Sequence, residues 1–355
     1  MSNENRKYKI KIGFHIILIT EGRQTNYFMD RPIKHKVYVT RKIPEPGPSI
    51  LKNRFQLKMN PNVDVLKREN LIQNVRGVYA LMCMLGDKID SSVMDAAGPN
   101  LKVISCYRVG YDHVDIDEAI KRKIIVTNTP NVLASTTADL TFSLILAAAR
   151  NLVKADRHVR TGDWKFGWTP DLFLGYDVHG STLGIIGLGE IGTLVAKRAR
   201  GFDMKVIYHS KTRKRDLESE LDITYVSLEE LLQRSDFVSI HVSLNKDSFH
   251  MIDKSKIKLM KKTAFIINTS RGKVINERDL ISALKNNIIA GAGLDVYDNE
   301  PISRSNRLTQ LPQTVLLPHI GSATFMTRSK MAEVAANNIV NFFHKRGIVY
   351  KINKI

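Results

Sequence analysis

The chain has 355 residues, 43% hydrophobic and 25% charged. That is a globular composition long enough for two domains, which excludes wholesale disorder, a collagen-like repeat and a coiled coil. An excess of 54 Lys and Arg over 35 Asp and Glu gives a formal charge of +19, which suits anionic partners without choosing among nucleic acid, acidic membranes and phosphorylated or carboxylate ligands.

Residues 1–35 read as an N-terminal extension. The apolar stretch at 12–19, flanked by Lys7, Lys9, Lys11 and Arg23, is too short to span a bilayer and is followed by no small-residue cleavage site. An extra edge strand or a weak surface anchor are the roles open to it, and no membrane partner is expected. Met29-Asp30-Arg31-Pro32 precedes the first recognisable strand, where a natural start would be expected, so residues 1–28 should be dispensable. Short apolar runs at 37–39, 78–84, 103–104 and 124–126 alternate with helix-compatible segments, the rhythm of βαβ units on a parallel sheet. The two cysteines, Cys83 and Cys106, are too few for a disulfide scaffold and match no metal-ligand spacing, so they read as packing residues in a reducing, cytoplasmic setting with no metal. A long apolar helix is expected over 136–150, buried and able to link two lobes. Residues 161–180 intersperse five glycines and prolines with Trp164, Phe166, Trp168, Phe173 and Tyr176, a loop that reads as functional or packed on a partner chain. A second alternating series follows, with strands at 182–186, 205–208, 237–241, 264–267 and 289–295, and helices at 191–200 and 277–285. A final helix over 323–344 sets Met331, Val334, Ala335, Ile339 and Phe342 near one face.

Gly187-Leu188-Gly189-Glu190-Ile191-Gly192 is G-x-G-x-x-G, directly after an apolar strand and opening a helix, the context in which that motif binds a dinucleotide. The first glycine permits a tight turn, the second lets backbone approach a pyrophosphate and the third lets helix and strand pack closely. Selection of NAD calls for a carboxylate at the end of the next strand. Here His209 is followed by Ser210-Lys211-Thr212-Arg213, hydroxyl and cationic groups suited to a 2′-phosphate, so NADP(H) is preferred and NAD(H) is the alternative. A bland basic patch is the competing reading, since eight basic residues stand against one acidic residue from 197 to 215.

Three further segments complete the pattern: Asn268-Thr269-Ser270-Arg271-Gly272, Gly293-Leu294-Asp295-Val296-Tyr297-Asp298-Asn299-Glu300-Pro301, and Leu317-Pro318-His319-Ile320-Gly321-Ser322-Ala323-Thr324. With the glycine loop they resemble the D-isomer specific 2-hydroxyacid dehydrogenase family from Lys36 to Phe343. Within it the chain looks most like glyoxylate/hydroxypyruvate reductases, on Leu81-Met82-Cys83-Met84-Leu85, Val109-Gly110-Tyr111-Asp112 and the Trp168 to Tyr176 segment. The resemblance implies an α/β fold of two Rossmann/flavodoxin-like lobes. A discontinuous substrate-binding domain (36–134 and 323–355) would carry an inserted NAD(P)-binding Rossmann domain (135–322), with the active site in the cleft. It also implies Arg271, Glu300 and His319 as catalytic residues. Val242, Thr269, Ser270, Asp295, Ile320 and Gly321 would join the glycine loop and 210–213 at the cofactor. Leu85, Val109, Gly110 and Arg271 would meet the substrate, and the aromatic loop would reach a partner subunit in a homodimer.

The chemistry asks for these residue types independently. A 2-oxo acid is an anion whose carbonyl gains electron density as hydride arrives, so a guanidinium fork both orients the carboxylate and steadies the developing oxyanion. Protonation near neutral pH suits imidazole, and a neighbouring carboxylate favours its charged form. The expected function is NADPH-dependent reduction of a small 2-oxo acid, glyoxylate or hydroxypyruvate, to the D-2-hydroxy acid, with His319 as proton donor. The alternatives are a 3-phosphoglycerate or other D-2-hydroxyacid dehydrogenase, or a dinucleotide-sensing, corepressor-like binding protein; nucleic acid is not the expected partner. Arg108 departs from the family pattern, and on sequence alone either binds a second anionic group or points to solvent.

Overall fold

The computed structural model describes residues 35–344, 347 and 350–353, and the backbone of three strands nearer the N terminus. The chain divides into two units, Met1–Thr129 with Ser329–Ile355, and Pro130–Arg328. The expected inserted domain, 135–322, lies inside the second.

In the first unit β1 (Tyr8–Ile12), β2 (His15–Thr20) and β3 (Arg23–Phe28) form an antiparallel sheet of their own. Among the described residues it pairs with neither of the other sheets, so the extension is a meander rather than one added edge strand. β4 (Lys36–Val39), β5 (Gln56–Met59), β6 (Ala80–Cys83), β7 (Val103–Cys106) and β8 (Ile125–Thr127) make a parallel sheet in the order β5-β4-β6-β7-β8. Every residue of β6 and β7 is buried, as expected of central parallel strands covered on both faces. The last helix, Phe325–Phe343, returns the chain to this unit. There Ser105 Oγ donates to the Ala335 carbonyl at 2.9 Å, and buried Asn353 accepts from Val126 N at 2.9 Å while donating to the Ile124 carbonyl at 2.8 Å.

The second unit holds β9 (Thr182–Ile186), β10 (Lys205–His209), β11 (Ile223–Tyr225), β12 (Phe237–Ile240), β13 (Phe265–Asn268), β14 (Gly291–Leu294) and β15 (Thr314–Leu316). All are parallel, in the order β11-β10-β9-β12-β13-β14-β15. Side chains alternate between two apolar layers: Ile185 and Ile267 join one, Ile186 and Ile266 the other. The apolar helix is Ala134–Ala149, with Ala138, Leu144 and Ile145 buried in the first layer. Because the chain runs outward from β9 in both directions, the order reverses beside β9. Ligands of open α/β sheets bind at the carboxyl ends of the strands at such a switch point. Among the described residues no helix is long and apolar enough to cross a membrane.

Helix Leu152–Arg160 and the three-residue strands β11 and β15 were not legible in the sequence. The helix buries none of its residues, and three residues are too few to show a period.

Candidate active site

Every candidate residue of the second unit falls in a segment following the carboxyl end of a strand. The glycine loop follows β9, Ser210 follows β10, Val242 follows β12, Thr269 to Arg271 follow β13, Asp295 follows β14 and His319 follows β15. At Gly187 φ is +96°, and a Cβ there would stand 2.8 Å from Val242 Cγ1 and 2.9 Å from the His241 carbonyl carbon. At Gly192 a Cβ would lie 2.2 Å from the Gly187 carbonyl oxygen, so glycine is what lets the helix sit on the loop. A Cβ at Gly189 would meet no protein atom within 4 Å, so it would fill the space over the start of helix Glu190–Ala199. Gly189 caps that helix without a side-chain hydrogen bond, leaving the first-turn N–H groups of Glu190, Ile191 and Gly192 without intrahelical partners. Leu188 is buried and anchors the loop. This cradle fits a diphosphate, which free N–H groups and the helix dipole favour.

Beyond β10, Lys211 is an exposed partner of Asp247 at 3.2 Å. Arg213 is held by Glu218 through two contacts, Nε to Oε1 at 2.8 Å and Nη2 to Oε2 at 2.7 Å. Tyr208 Oη donates to the same carboxylate at 2.7 Å and accepts from Lys214 N at 2.8 Å. The guanidinium also lies 5.5 Å from the Tyr225 ring centre. These contacts tie Arg213 to the end of its strand. Hydrogen bonds from Arg213 and Tyr208 pull the Glu218 carboxyl down to about 2.

Three loops build the group expected to do acid–base chemistry. Asn268, buried at the end of β13, accepts from Ser270 N and Oγ at 3.0 and 2.8 Å and donates to the Arg271 carbonyl at 2.9 Å. That wraps the backbone around its amide and fixes the base of Arg271. Arg271 Nη1 donates to the Ser270 carbonyl at 2.7 Å, and the Thr269 hydroxyl meets that of Thr141 at 3.0 Å. Gly272 then packs directly on the next loop, where a Cβ would stand 1.9 Å from the Tyr297 carbonyl carbon. Glu300 accepts from Tyr297 N at 3.1 Å through Oε1 and meets His319 Nδ1 at 2.7 Å through Oε2. Tyr297 Oη donates to the Leu317 carbonyl at 2.8 Å, joining the carboxylate's loop to the histidine's.

His319 has φ +55°, a left-handed conformation that costs a non-glycine residue about 1–3 kcal/mol and persists only where its surroundings over-determine it. Asp295 supplies that determination: its carboxylate oxygens accept from Ile320 N at 2.7 Å and Gly321 N at 2.8 Å. Burial pushes the Asp295 carboxyl up, and the two backbone donors oppose the shift. Asp295, Ile320 and Gly321, expected at the cofactor, thus commit these groups to the histidine loop, and Thr269 and Ser270 likewise bind within the protein. Asn268, Gly272 and Tyr297 are positioning residues to which the sequence assigned no role: Asn268 acts within its own loop, while Gly272 and Tyr297 act through partners on another loop.

Leu85, Val109 and Gly110 belong to the first unit. There Arg41 Nη2 donates to the Leu85 carbonyl, and Asn128 Nδ2 donates to that of Val109 at 2.8 Å. Arg108 is 7% exposed, so it does not point to solvent. In the second unit Trp168 is 81% exposed, so it is not a core aromatic of its own chain; Phe166, Leu174 and Val159 are exposed as well.

Residues 142–321 match the model of the D-isomer specific 2-hydroxyacid dehydrogenase NAD-binding domain. A glyoxylate reductase of Korarchaeum cryptofilum is 49% identical over 315 residues, 89% of this chain and 94% of that protein. Among crystal structures, a Thermus thermophilus protein matches with a TM-score of 0.84 at 41% identity, covering 90% of this chain and all of that one. An NADPH-dependent glyoxylate/hydroxypyruvate reductase of Sinorhizobium meliloti, in complex with NADP and malonate, matches with a TM-score of 0.79 at 29% identity, covering 90% and 97%.

Proposed function

The chain belongs to the D-isomer specific 2-hydroxyacid dehydrogenase family and is an NAD(P)-dependent oxidoreductase; from that premise we propose that it reduces glyoxylate and hydroxypyruvate, with NADPH as the preferred reductant. The observation that carries the reading is the 2.7 Å contact between His319 and Glu300, in loops at the same carboxyl end of the sheet as the glycine cradle. When bound, the reduced nicotinamide supplies the hydride.

The protein's own groups do the rest. Arg271 holds the substrate carboxylate and faces the charge that grows on the carbonyl oxygen. His319 gives its proton to that oxygen, and the Glu300 carboxylate balances the charge of the ring before transfer and keeps its plane in place. Asp295 holds the histidine in its left-handed conformation. The contacts implied for Leu85, Val109 and Gly110 are part of the same proposal. Ser210, Lys211, Thr212 and Arg213 receive the 2′-phosphate, with Arg213 preorganised by Glu218. A second copy of the chain covers the exposed aromatic segment, which sedimentation at rising concentration tests as a homodimer. Two free, buried cysteines fit a cytoplasmic setting.

The deciding assay is a panel of 2-oxo acids with NADPH and NADH, read at the absorbance of the reduced nicotinamide. Glyoxylate and hydroxypyruvate should lead, and NADPH should exceed NADH by about tenfold or more in kcat/KM, the order expected of one or two charge-assisted phosphate contacts. Replacing Ser210→Asp together with Arg213→Ala should reverse the cofactor order. No turnover with any 2-oxo acid, with dinucleotide binding retained, would favour the corepressor-like alternative.

A further inference from the structure

Cys83 ends β6 and Cys106 ends β7, and the two are register partners in neighbouring parallel strands. Their side chains therefore emerge on one face, with the sulfurs 4.0 Å apart. His113, in the segment after β7, brings Nε2 to 3.4 Å from Cys83 Sγ. All three donor atoms lie within 4.8 Å of one another, and among the described residues no other three His, Cys, Asp or Glu converge in this way. Both thiols are fully buried, while His113 is partly exposed.

We propose that Cys83, Cys106 and His113 bind a single zinc ion. Zinc–sulfur bonds of about 2.3 Å and zinc–nitrogen bonds of about 2.0–2.1 Å at tetrahedral angles put the sulfurs about 3.8 Å apart and each sulfur about 3.6 Å from the nitrogen. The observed 4.0 and 3.4 Å reach those values by shifts of a few tenths of an ångström, and the third pair, Cys106 with His113, lies within 4.8 Å and closes by at most about 1.2 Å. The donor set is soft sulfur and imidazole, which favours zinc over the oxygen-seeking magnesium and calcium. The ion enters past His113 and displaces one proton from each thiol, and the two thiolates cancel its charge, so the filled site adds no net charge to the core. Three protein ligands leave the fourth position to water. The ion would also pin the segment after β7 to the sheet, where the Ile89 N–H already donates to the His113 carbonyl at 2.9 Å. The sequence hid this site because the donors are spread along the chain and match no metal-binding spacing.

The test uses the full chain, reduced, stripped of metal by a chelator, titrated with cobalt(II) and then with zinc. The expected result is saturation at one cobalt per chain with sulfur-to-cobalt charge-transfer absorption in the near ultraviolet, bleached by one equivalent of zinc. Since changes in the shell outside the ligands already cost about 10–100-fold, Cys106→Ser and His113→Asn should each weaken binding by more than about a hundredfold. Zinc should also slow alkylation of both thiols in the unaltered chain and raise its Tm, readouts that stand if the Cys106 variant fails to fold. No charge-transfer band in the folded, reduced chain would overturn the proposal. So would cobalt binding unchanged by His113→Asn, or a Cys83–Cys106 disulfide that forms in air despite saturating zinc. No readout uses turnover, so failure here leaves the reductase reading untouched.

Discussion

Gly272→Ala tests whether the loops carrying Arg271 and Glu300 form one rigid piece. A Cβ at 272 would stand 1.9 Å from the Tyr297 carbonyl carbon, 2.1 Å from its oxygen and 2.5 Å from Asp298 N, where ordinary contact begins at 3.4 Å. All three are backbone atoms, so no side chain can swing aside, and the loops must part by about 1.5 Å. Gly272 is not left-handed, so the added methyl acts through this collision and not through φ. Forced overpacking costs about 1–3 kcal/mol, which in a unit of this size lowers Tm by about 2–12 °C. The larger effect is on catalysis, because a misplacement of about 1 Å at a reacting group costs about a hundredfold. The kcat/KM for glyoxylate should fall by about a hundredfold or more. NADPH affinity, followed by fluorescence, should change by less than about threefold, because the glycine cradle is borne by β9 while the altered loops follow β13 and β14. A variant with kcat/KM within about threefold of the unaltered enzyme and an unchanged Tm would refute the claim that the two loops are locked through this contact.

His319→Ala should lower kcat by about a hundredfold or more, the usual contribution of a positioned general acid; full activity in the variant would remove the mechanism. The Glu218 carboxyl is held at about 2 in the folded protein by Arg213 and Tyr208, against an ordinary 4.5. A depressed folded value means that the stability it contributes is complete above about 4.5 and is lost as the pH falls toward 2. The gap in urea midpoint between the unaltered chain and Glu218→Gln should therefore be widest near neutrality and close with acidification, and a gap independent of pH would contradict the assignment. Because β1 to β3 pair only with one another among the described residues, a chain beginning at Met29 should keep the Tm and kinetic constants of the full chain. A loss of several degrees would show the segment to be an integrated part of the structure.

The parallel sheets were legible because their strands are short, continuous apolar runs bounded by turn residues. The runs at 182–186 and 103–104 became β9 and β7, and helix Glu277–Lys285 kept the expected limits. Legibility failed where the deciding partner was distant in sequence. Nothing near Leu152–Arg160 indicates that its apolar residues stay exposed. Nothing near Gly272 announces that the Tyr297–Asp298 peptide will lie against it. Candidates for chemistry were easier to name in the sequence than the residues that hold them, because reaction chemistry restricts side-chain type, whereas positioning is a matter of who meets whom after folding.

Asp295 shows that distinction within a single side chain. The family resemblance implies Asp295 at the cofactor. In the folded unit both of its oxygens accept N–H groups of the histidine loop. A buried carboxylate without donors would be costly, and the two consecutive N–H groups that satisfy Asp295 follow directly on the left-handed His319. Each oddity is thus the other's compensation. The burial of Asp295 is met by these N–H groups, and the strain at His319 is met by Asp295, with Glu300 fixing the ring from the opposite end of the same arrangement. The position of His319 is consequently set by three loops that share carbonyls and N–H groups at the carboxyl end of one sheet, with its neighbours Ile320 and Gly321 acting through Asp295.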